Sequence, residues 1–290
     1  MRALFVDNLT VIDFAYLDLD RGIIGESLIL SVELFGELND EGMLFDFSFV
    51  KKRIKACVDS LVDHKLLVAR HHADLKIIEK DQLLELSLQN SNYAFEHISP
   101  SQAVCIIDDS QVSIQSIKDF LTQQIKNILP DNVNQLTVYL DCEQTDKPYY
   151  HYSHGLKKHF GDCQRIAHGH RSKIEVWQKN IDDNLWLYSS YWSLHIAELW
   201  QDIYLATKED IKAEITFGGF DCWQFAYQAN QGDFKLTLPK SRCYLISTDT
   251  TVELIVDFLA GYLKQQAPLL DFKVKAFEGV DKGALASSCV

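Results

Sequence analysis

Within the seventeen residues from His154 to His170 stand three imidazoles and one thiol that could act together, His154, His168, His170 and Cys163, with a further histidine, His159, between them. His168 and His170 are two positions apart, so on a β-strand both rings leave the same face and can share one metal ion. Three neutral imidazole nitrogens with a fourth position open describe a catalytic zinc site, whereas a structural site is closed by a fourth protein ligand. A thiol beside such a cation loses its proton more easily, which makes Cys163 a candidate base or nucleophile. Lys157, Lys158 and His159 suit a loop, and Lys157, Lys158, Arg165 and Arg171 form a basic cluster able to meet a small anion. The competing reading is a basic surface patch with solvated histidines.

These side chains need a scaffold, and the pattern supplies one. The run Arg171 to Trp177 alternates polar and apolar, as a half-buried strand does. His168, His170, Ile174 and Val176 share parity, which puts the imidazoles on the apolar face. Upstream, Ala3 to Ile12 and Ser27 to Phe35 read as strands, and Phe47, Val50, Ile54, Val58 and Leu61 recur at helical spacing behind an Asp46 cap. Leu75 to Ile78 and Leu83 to Leu88 read as a hairpin. A second helix carries Ile114, Ile117, Leu121, Ile125 and Ile128 and is ended by Pro130. A strand with Val138 and Leu140 follows.

The chain then does this again. Cys105 matches Cys243, Asp119 matches Asp257, Phe120 matches Phe258 and Leu121 matches Leu259, all 138 residues apart, as are Leu61 with Leu199 and Leu67 with Leu205. The second copy reads as a strand with Ile174 and Val176, a Trp-rich helix from Leu194 to Leu205, a hairpin around Gly232, a helix from Val252 to Leu263 and a strand with Phe272, Val274 and Ala276. Segment 141 to 149 is the linker, giving units 1–144 and 145–290. The order β-β-α-β-α-β predicts the α+β class, antiparallel sheets with helices packed on one side. Small sheets with open edges also predict a homo-oligomer.

Composition narrows the function. The chain has 290 residues with 47% hydrophobic content, enough for two cored domains. A net charge of −13 repels phosphate backbones and anionic membranes, which argues against a nucleic-acid or membrane partner. No apolar run approaches membrane length, no signal-peptide pattern opens the chain, and seven irregularly spaced cysteines form no disulfide framework, so a cytosolic protein is expected.

Aligned on the repeat, His154, His168 and His170 fall on Tyr16, Ile24 and Glu26, so the first copy lacks the metal-binding set. Conversely, Asp63-His64 of the first copy falls on Gln201-Asp202 of the second. The deficits are complementary, as for a site to which each copy contributes a different part.

As a set, these motifs resemble the 6-pyruvoyl-tetrahydropterin synthase and 6-carboxytetrahydropterin synthase family of tunnelling-fold enzymes. Ser153-His154-Gly155-Leu156 resembles the first zinc-ligand segment, and Cys163 with His168-Gly169-His170 the nucleophile region and remaining ligands. Gly42-Met43-Leu44-Phe45-Asp46-Phe47 is similar to the segment before the family's first helix, and Leu61-Val62-Asp63-His64-Lys65-Leu66-Leu67 to its Leu-Asp-His motif. Thr251-Val252-Glu253 resembles its Thr-Ser-Glu helix start, although Thr250 to Glu253 also reads as a capping box. Val274-Lys275-Ala276-Phe277-Glu278 resembles the terminal strand with the pterin-anchoring glutamate. The chain is about twice the length of single-domain members, so it looks like a fused pair with an added hairpin in each half. Four residues separate Cys163 from His168. Carboxy-forming members typically have three and pyruvoyl-forming members five, which leaves either product open.

The resemblance implies tandem tunnelling-fold units assembling into barrels. It also implies Zn²⁺ on His154, His168 and His170, Cys163 as catalytic base, and Asp63 and His64 as a proton-transfer pair. Glu278 and Thr251 would bind the substrate, 7,8-dihydroneopterin triphosphate, which loses triphosphate to give 6-carboxy- or 6-pyruvoyl-tetrahydropterin. The alternative is a zinc-containing pterin-binding protein without turnover. A trimer of fused chains reproduces six units, and a closed dimer is the alternative assembly.

Overall fold

The computed structural model describes residues 2–38, 40 and 42–289. The chain begins with a long hairpin, β1 (Arg2–Asp18) and β2 (Gly22–Gly36), followed by α1 (Phe47–Leu61) and β3 (Leu66–Ala69). Three strands come next, β4 (Leu75–Lys80), β5 (Leu83–Gln89) and β6 (Ala94–Pro100), and then β7 (Val104–Ile107), α2 (Ile114–Lys126) and β8 (Val133–Cys142). The series repeats as β9 (Tyr149–His154), β10 (His168–Asn180), a short β11 (Leu187–Tyr188), α3 (Ser190–Leu199) and β12 (Ile203–Thr207). It continues with β13 (Ile211–Phe217), β14 (Phe220–Ala229), β15 (Gly232–Pro239), β16 (Cys243–Ile246), α4 (Val252–Gln266), β17 (Leu270–Phe277) and β18 (Gly283–Ser287).

Each half therefore builds the same sheet, β7-β3-β1-β2-β8 in the first and β16-β12-β9-β10-β17 in the second, where β18 extends the edge beyond β17. The α+β class holds, with one refinement. The long strands pair antiparallel, but β3 and β7, like β12 and β16, add in parallel. They can, because the chain between them passes through a helix or through the three extra strands instead of a tight turn. The expected hairpin is thus three strands in each half, and β15 pairs with β6 to fuse both sets into one sheet, β13-β14-β15-β6-β5-β4.

The helices form where the apolar spacing and caps predict. Asp46 accepts from the Phe49 N–H at the start of α1, whose Val50, Ile54 and Val58 are buried. In α2, Ile117, Leu121 and Ile125 recur every fourth residue and face the first sheet, packing with Phe14, Leu28 and Leu30. The second core repeats this with Tyr150, Tyr152, Ile174 and Val176 under Ile196, Trp200, Ile255 and Leu259. A third core lies between the halves and includes Leu66, Phe95, Ile166, Tyr204, Phe225 and Leu236.

The Trp-rich helix is shorter than its apolar pattern predicts. It stops at Leu199, and Leu205 belongs to β12. Asp202 takes a positive φ of 60° at the corner, which no helix accommodates. At the crossing of β2 and β10, a Cβ on Gly25 would run into the Tyr152 carbonyl oxygen, and one on Gly169 would come within 2.6 Å of the Gly25 Cα. The halves meet backbone to backbone, and only glycine permits that distance. Among the described residues no helix is long and apolar enough to cross a membrane.

Candidate active site

His154 ends β9 and His168 begins β10, directly opposite one another in the antiparallel register, and His170 faces Tyr152. The first half has the same register, Tyr16 opposite Ile24 and Phe14 opposite Glu26, so the strand pairing places Tyr16, Ile24 and Glu26 at the three histidine positions. One ring nitrogen from each of His154, His168 and His170 lies within 4.8 Å of the others, and all three side chains are buried.

Each ring is held from behind. His154 Nδ1 is 3.0 Å from both the carbonyl oxygen and Oγ1 of Thr250, and His168 Nδ1 is 2.9 Å from the Arg165 carbonyl. His170 Nδ1 lies 3.2 Å from Asp13 Oδ1. The Nε2 of His154 and both ring nitrogens of His170 are buried with no hydrogen-bond partner, the 3.2 Å approach of Asp13 to His170 Nδ1 being an ion-pair contact. Orphaned imidazole nitrogens converging in a buried site are an arrangement that a metal satisfies. Burial, reinforced by the neighbouring imidazoles, holds His154 and His168 well below the ordinary histidine pKa, so both are neutral as metal ligands must be.

The Asp63-His64 pair of the first half reaches this cluster within the same chain. Its ring centroid lies 5.1 Å from that of His168, and ligand atoms of His64, Cys163 and His168 form a second close group. His64 occupies a left-handed corner, φ 52°, between α1 and β3. Asp63 Oδ2 is 2.8 Å from His64 Nδ1. Burial opposes charge on His64, but the hydrogen bonds with Asp63 and Cys163 outweigh it and lift its pKa to about 10. An imidazole whose charged form Asp63 favours thus stands beside Cys163.

Residues that the sequence did not single out hold the parts together. The Asp13 N–H donates to Asp63 Oδ1 at 2.9 Å and its carbonyl accepts from the His64 N–H at 2.7 Å. The Asp13 carboxylate is 4% exposed; it accepts from Ser27 Oγ at 2.6 Å and meets Lys282 Nζ at 3.0 Å. Burial works against its charge, but His170, Lys282 and Ser27 hold it far below the usual carboxylate range. Gly279, φ 77°, lies so close that a Cβ there would collide with this carboxylate. The sequence signal was Asp13 itself, a charge in the otherwise apolar run Val11 to Ala15.

The basic cluster is not free to meet an anion. Arg165 is buried, pairs with Asp162 at 2.7 Å and donates to the Asp63 and His64 carbonyls at 3.1 and 3.4 Å. Lys157 pairs with Asp210, Lys158 with Asp249 at 2.7 Å, and Arg171 donates to the Glu143 carbonyl at 2.9 Å. Three of the four cations are thus paired with carboxylates and the fourth with a main-chain carbonyl.

Glu278 follows β17 and places Oε1 4.0 Å from His170 Nε2. Thr251 is the N-cap of α4, accepting from the Leu254 N–H, so Glu253 is one position too early for the capping box read from the sequence. Thr251 also lines a cavity of about 100 Å³ with Gly155, Lys157, Lys158, His159 and Thr250. The two residues thus flank the histidine cluster, Glu278 beside His170 and Thr251 next to the residue that holds His154.

A duplicated α+β unit with a histidine cluster at the junction of its copies defines the class. No protein-family model matches the chain. It is a relative of proteins named as 6-carboxy-5,6,7,8-tetrahydropterin synthases. The protein of that name from Pyrococcus abyssi is 28% identical over 137 residues, 46% of this chain and 76% of the relative. The one from Methanocaldococcus jannaschii is 26% identical over 122 residues, 40% of this chain and 72% of the relative. Among solved structures, 6-pyruvoyl tetrahydropterin synthases from Plasmodium vivax and Plasmodium falciparum align at 17% and 15% identity with TM-scores of 0.38 and 0.37. Each covers 48% of this chain and 97% of its own.

Proposed function

We propose that the chain is a zinc-dependent lyase that eliminates triphosphate from 7,8-dihydroneopterin triphosphate to give 6-pyruvoyl-tetrahydropterin or, with release of acetaldehyde as well, 6-carboxytetrahydropterin. The observation that carries this is the meeting of His64 and its Asp63 partner with Cys163 and His168 in one partly buried group. A ligand-binding protein needs neither a thiol nor a protonated imidazole there. The names of the curated relatives supply the pterin chemistry.

In this reading residues 1–144 contribute the Asp-His pair, and residues 145–290 contribute the metal ligands, Cys163, Thr251 and Glu278. His154, His168 and His170 hold Zn²⁺, which when bound supplies Lewis acidity toward the side-chain hydroxyls of the substrate. Cys163, as thiolate, removes the proton from the adjacent carbon. His64, oriented by Asp63, gives its proton to the ring and takes up the second proton in return. Glu278 accepts paired hydrogen bonds from the pterin ring N–H and exocyclic amine, and Thr251 meets the pterin edge. The open edge of β8, which in the second half is covered by β18, supports assembly of several chains, a trimer before a dimer.

The test is incubation of purified protein with dihydroneopterin triphosphate, with products identified by mass and triphosphate release followed. Cys163→Ala should abolish turnover, by at least about 10²-fold, with zinc content unchanged. An unaltered rate would exclude the thiol's role, and substrate binding without product would leave a pterin-binding protein.

A further inference from the structure

We propose that Asp13, from the half without the histidine set, is a positioning residue for the metal centre: its carboxylate fixes the ring orientation and tautomer of His170. The inference rests on reading His154, His168 and His170 as metal ligands. The three rings are braced differently. His154 and His168 turn Nδ1 to neutral oxygens of their own half, Thr250 and Arg165. His170 alone of the three turns Nδ1 to a carboxylate, and that carboxylate comes from the other half. With the Asp13 carboxylate 3.2 Å from Nδ1, the proton is favoured on Nδ1 and the Nε2 lone pair of His170 is left for the shared centre, and the adjoining negative charge raises its basicity.

The carboxylate is itself immobilised. Ser27 Oγ and Lys282 Nζ hold its two oxygens, Gly279 packs against it, and the Asp13 backbone is bonded in both directions to Asp63 and His64. One residue thus ties the proton-transfer pair and a metal-ligand candidate to the same point.

The duplicated fold contains its own control. His151 stands three residues before His154, as Asp13 stands three before Tyr16, and Glu26 takes the place of His170. There His151 Nδ1 lies 3.8 Å from Glu26 Oε2. Both crossings therefore hold a carboxylate and an imidazole, with the partners exchanged between halves. In the second crossing the imidazole is bonded to the Gly25 carbonyl at 2.7 Å and, among the described residues, is part of no group able to hold a metal. A purely structural role would make the two crossings equivalent; a positioning role makes only Asp13 matter to the metal.

The experiment uses full-length protein stripped of metal. Zinc affinity is measured by competition with a chelator for the wild type, Asp13→Asn, Glu26→Gln and His168→Ala, with thermal stability recorded for each and the visible spectrum of the Co²⁺-loaded forms compared. Asp13→Asn should weaken zinc about 10- to 100-fold and change the Co²⁺ spectrum. Glu26→Gln should keep the wild-type affinity and spectrum. Wild-type affinity in folded Asp13→Asn, or an equal loss in Glu26→Gln, would overturn the proposal. If Asp13→Asn does not fold, Ser27→Ala decides, since it removes one bond to the carboxylate, together with the one that Ser27 Oγ accepts from the Arg171 N–H. A several-fold weaker affinity supports the role and an unchanged one refutes it. Full zinc binding by His168→Ala would instead defeat the ligand reading on which this inference rests.

Discussion

His64 and Asp202 occupy the same left-handed corner of the two halves, at φ 52° and 60°, and each donates its N–H to the strand beside it, at the Asp13 and His151 carbonyls respectively. Only one of the two corners faces a thiol and three imidazoles. Asp202 instead receives two hydrogen bonds from Arg21, at 2.7 and 2.6 Å. The duplication thus kept one backbone device and gave its two side chains different tasks.

This relationship predicts a split between the corners. His64→Ala should lower turnover by about 10²- to 10⁴-fold while zinc content stays at the wild-type level. Asp202→Ala should leave turnover within a few-fold and cost about 1 kcal/mol of stability, because Arg21 is 40% exposed and water screens much of the pair. Equal kinetic losses from both substitutions would contradict the division of labour.

The repeat was legible because its markers sit in equivalent elements: Leu61 and Leu199 end α1 and α3, Cys105 and Cys243 lie in β7 and β16, and Phe120 and Phe258 lie in α2 and α4. The histidine cluster was legible from strand parity. What escaped is what depends on the meeting of the halves. Arg165 read as a surface cation because nothing local shows that it buries itself against the Asp63 and His64 carbonyls. Asp13, one position past the strand read from Ala3 to Ile12, was not singled out, since its partner His170 lies 157 positions away. The overlong helix arose because Leu194 to Leu205 keeps apolar spacing through a corner that only the Asp202 backbone reveals.

Acid sensitivity follows from His97, which is far from the site. It lies on β6 between Leu86 of β5 and Leu236 of β15, 1% exposed, with Nδ1 lacking a partner. Burial pushes its pKa down to about 3. The folded value lies below the unfolded value of about 6.5, so the stabilisation is complete above that pH and is lost as pH falls toward 3, by roughly 1.4 kcal/mol per unit. Urea unfolding at pH 7.5 and 5.5 should show this loss in wild type and a smaller one in His97→Leu. Matching pH dependence in the two proteins would remove His97 from the account.

The added strands predict a kinetic effect at a distance. Gln231, in the β14–β15 turn, donates to Asp162 Oδ1 at 2.6 Å and accepts from Arg165 Nε at 3.2 Å, while Tyr227 donates to the Gln164 carbonyl at 2.8 Å. These bonds bracket Cys163 on both sides. They also steady the guanidinium that grips the Asp63 and His64 carbonyls, so both partners of the proton transfer depend on one glutamine. Gln231→Ala removes two part-buried hydrogen bonds, worth about 1 kcal/mol each, and leaves the three histidines untouched. A displacement of the thiol by a fraction of an ångström still costs rate, because the reacting atoms must be held in near-contact geometry. The expected result is a kcat lowered by about tenfold, with zinc content unchanged and only a small drop in Tm. A wild-type kcat in this variant would mean that the 3₁₀ turn from Gly161 to Gln164 holds Cys163 without help from the added strands.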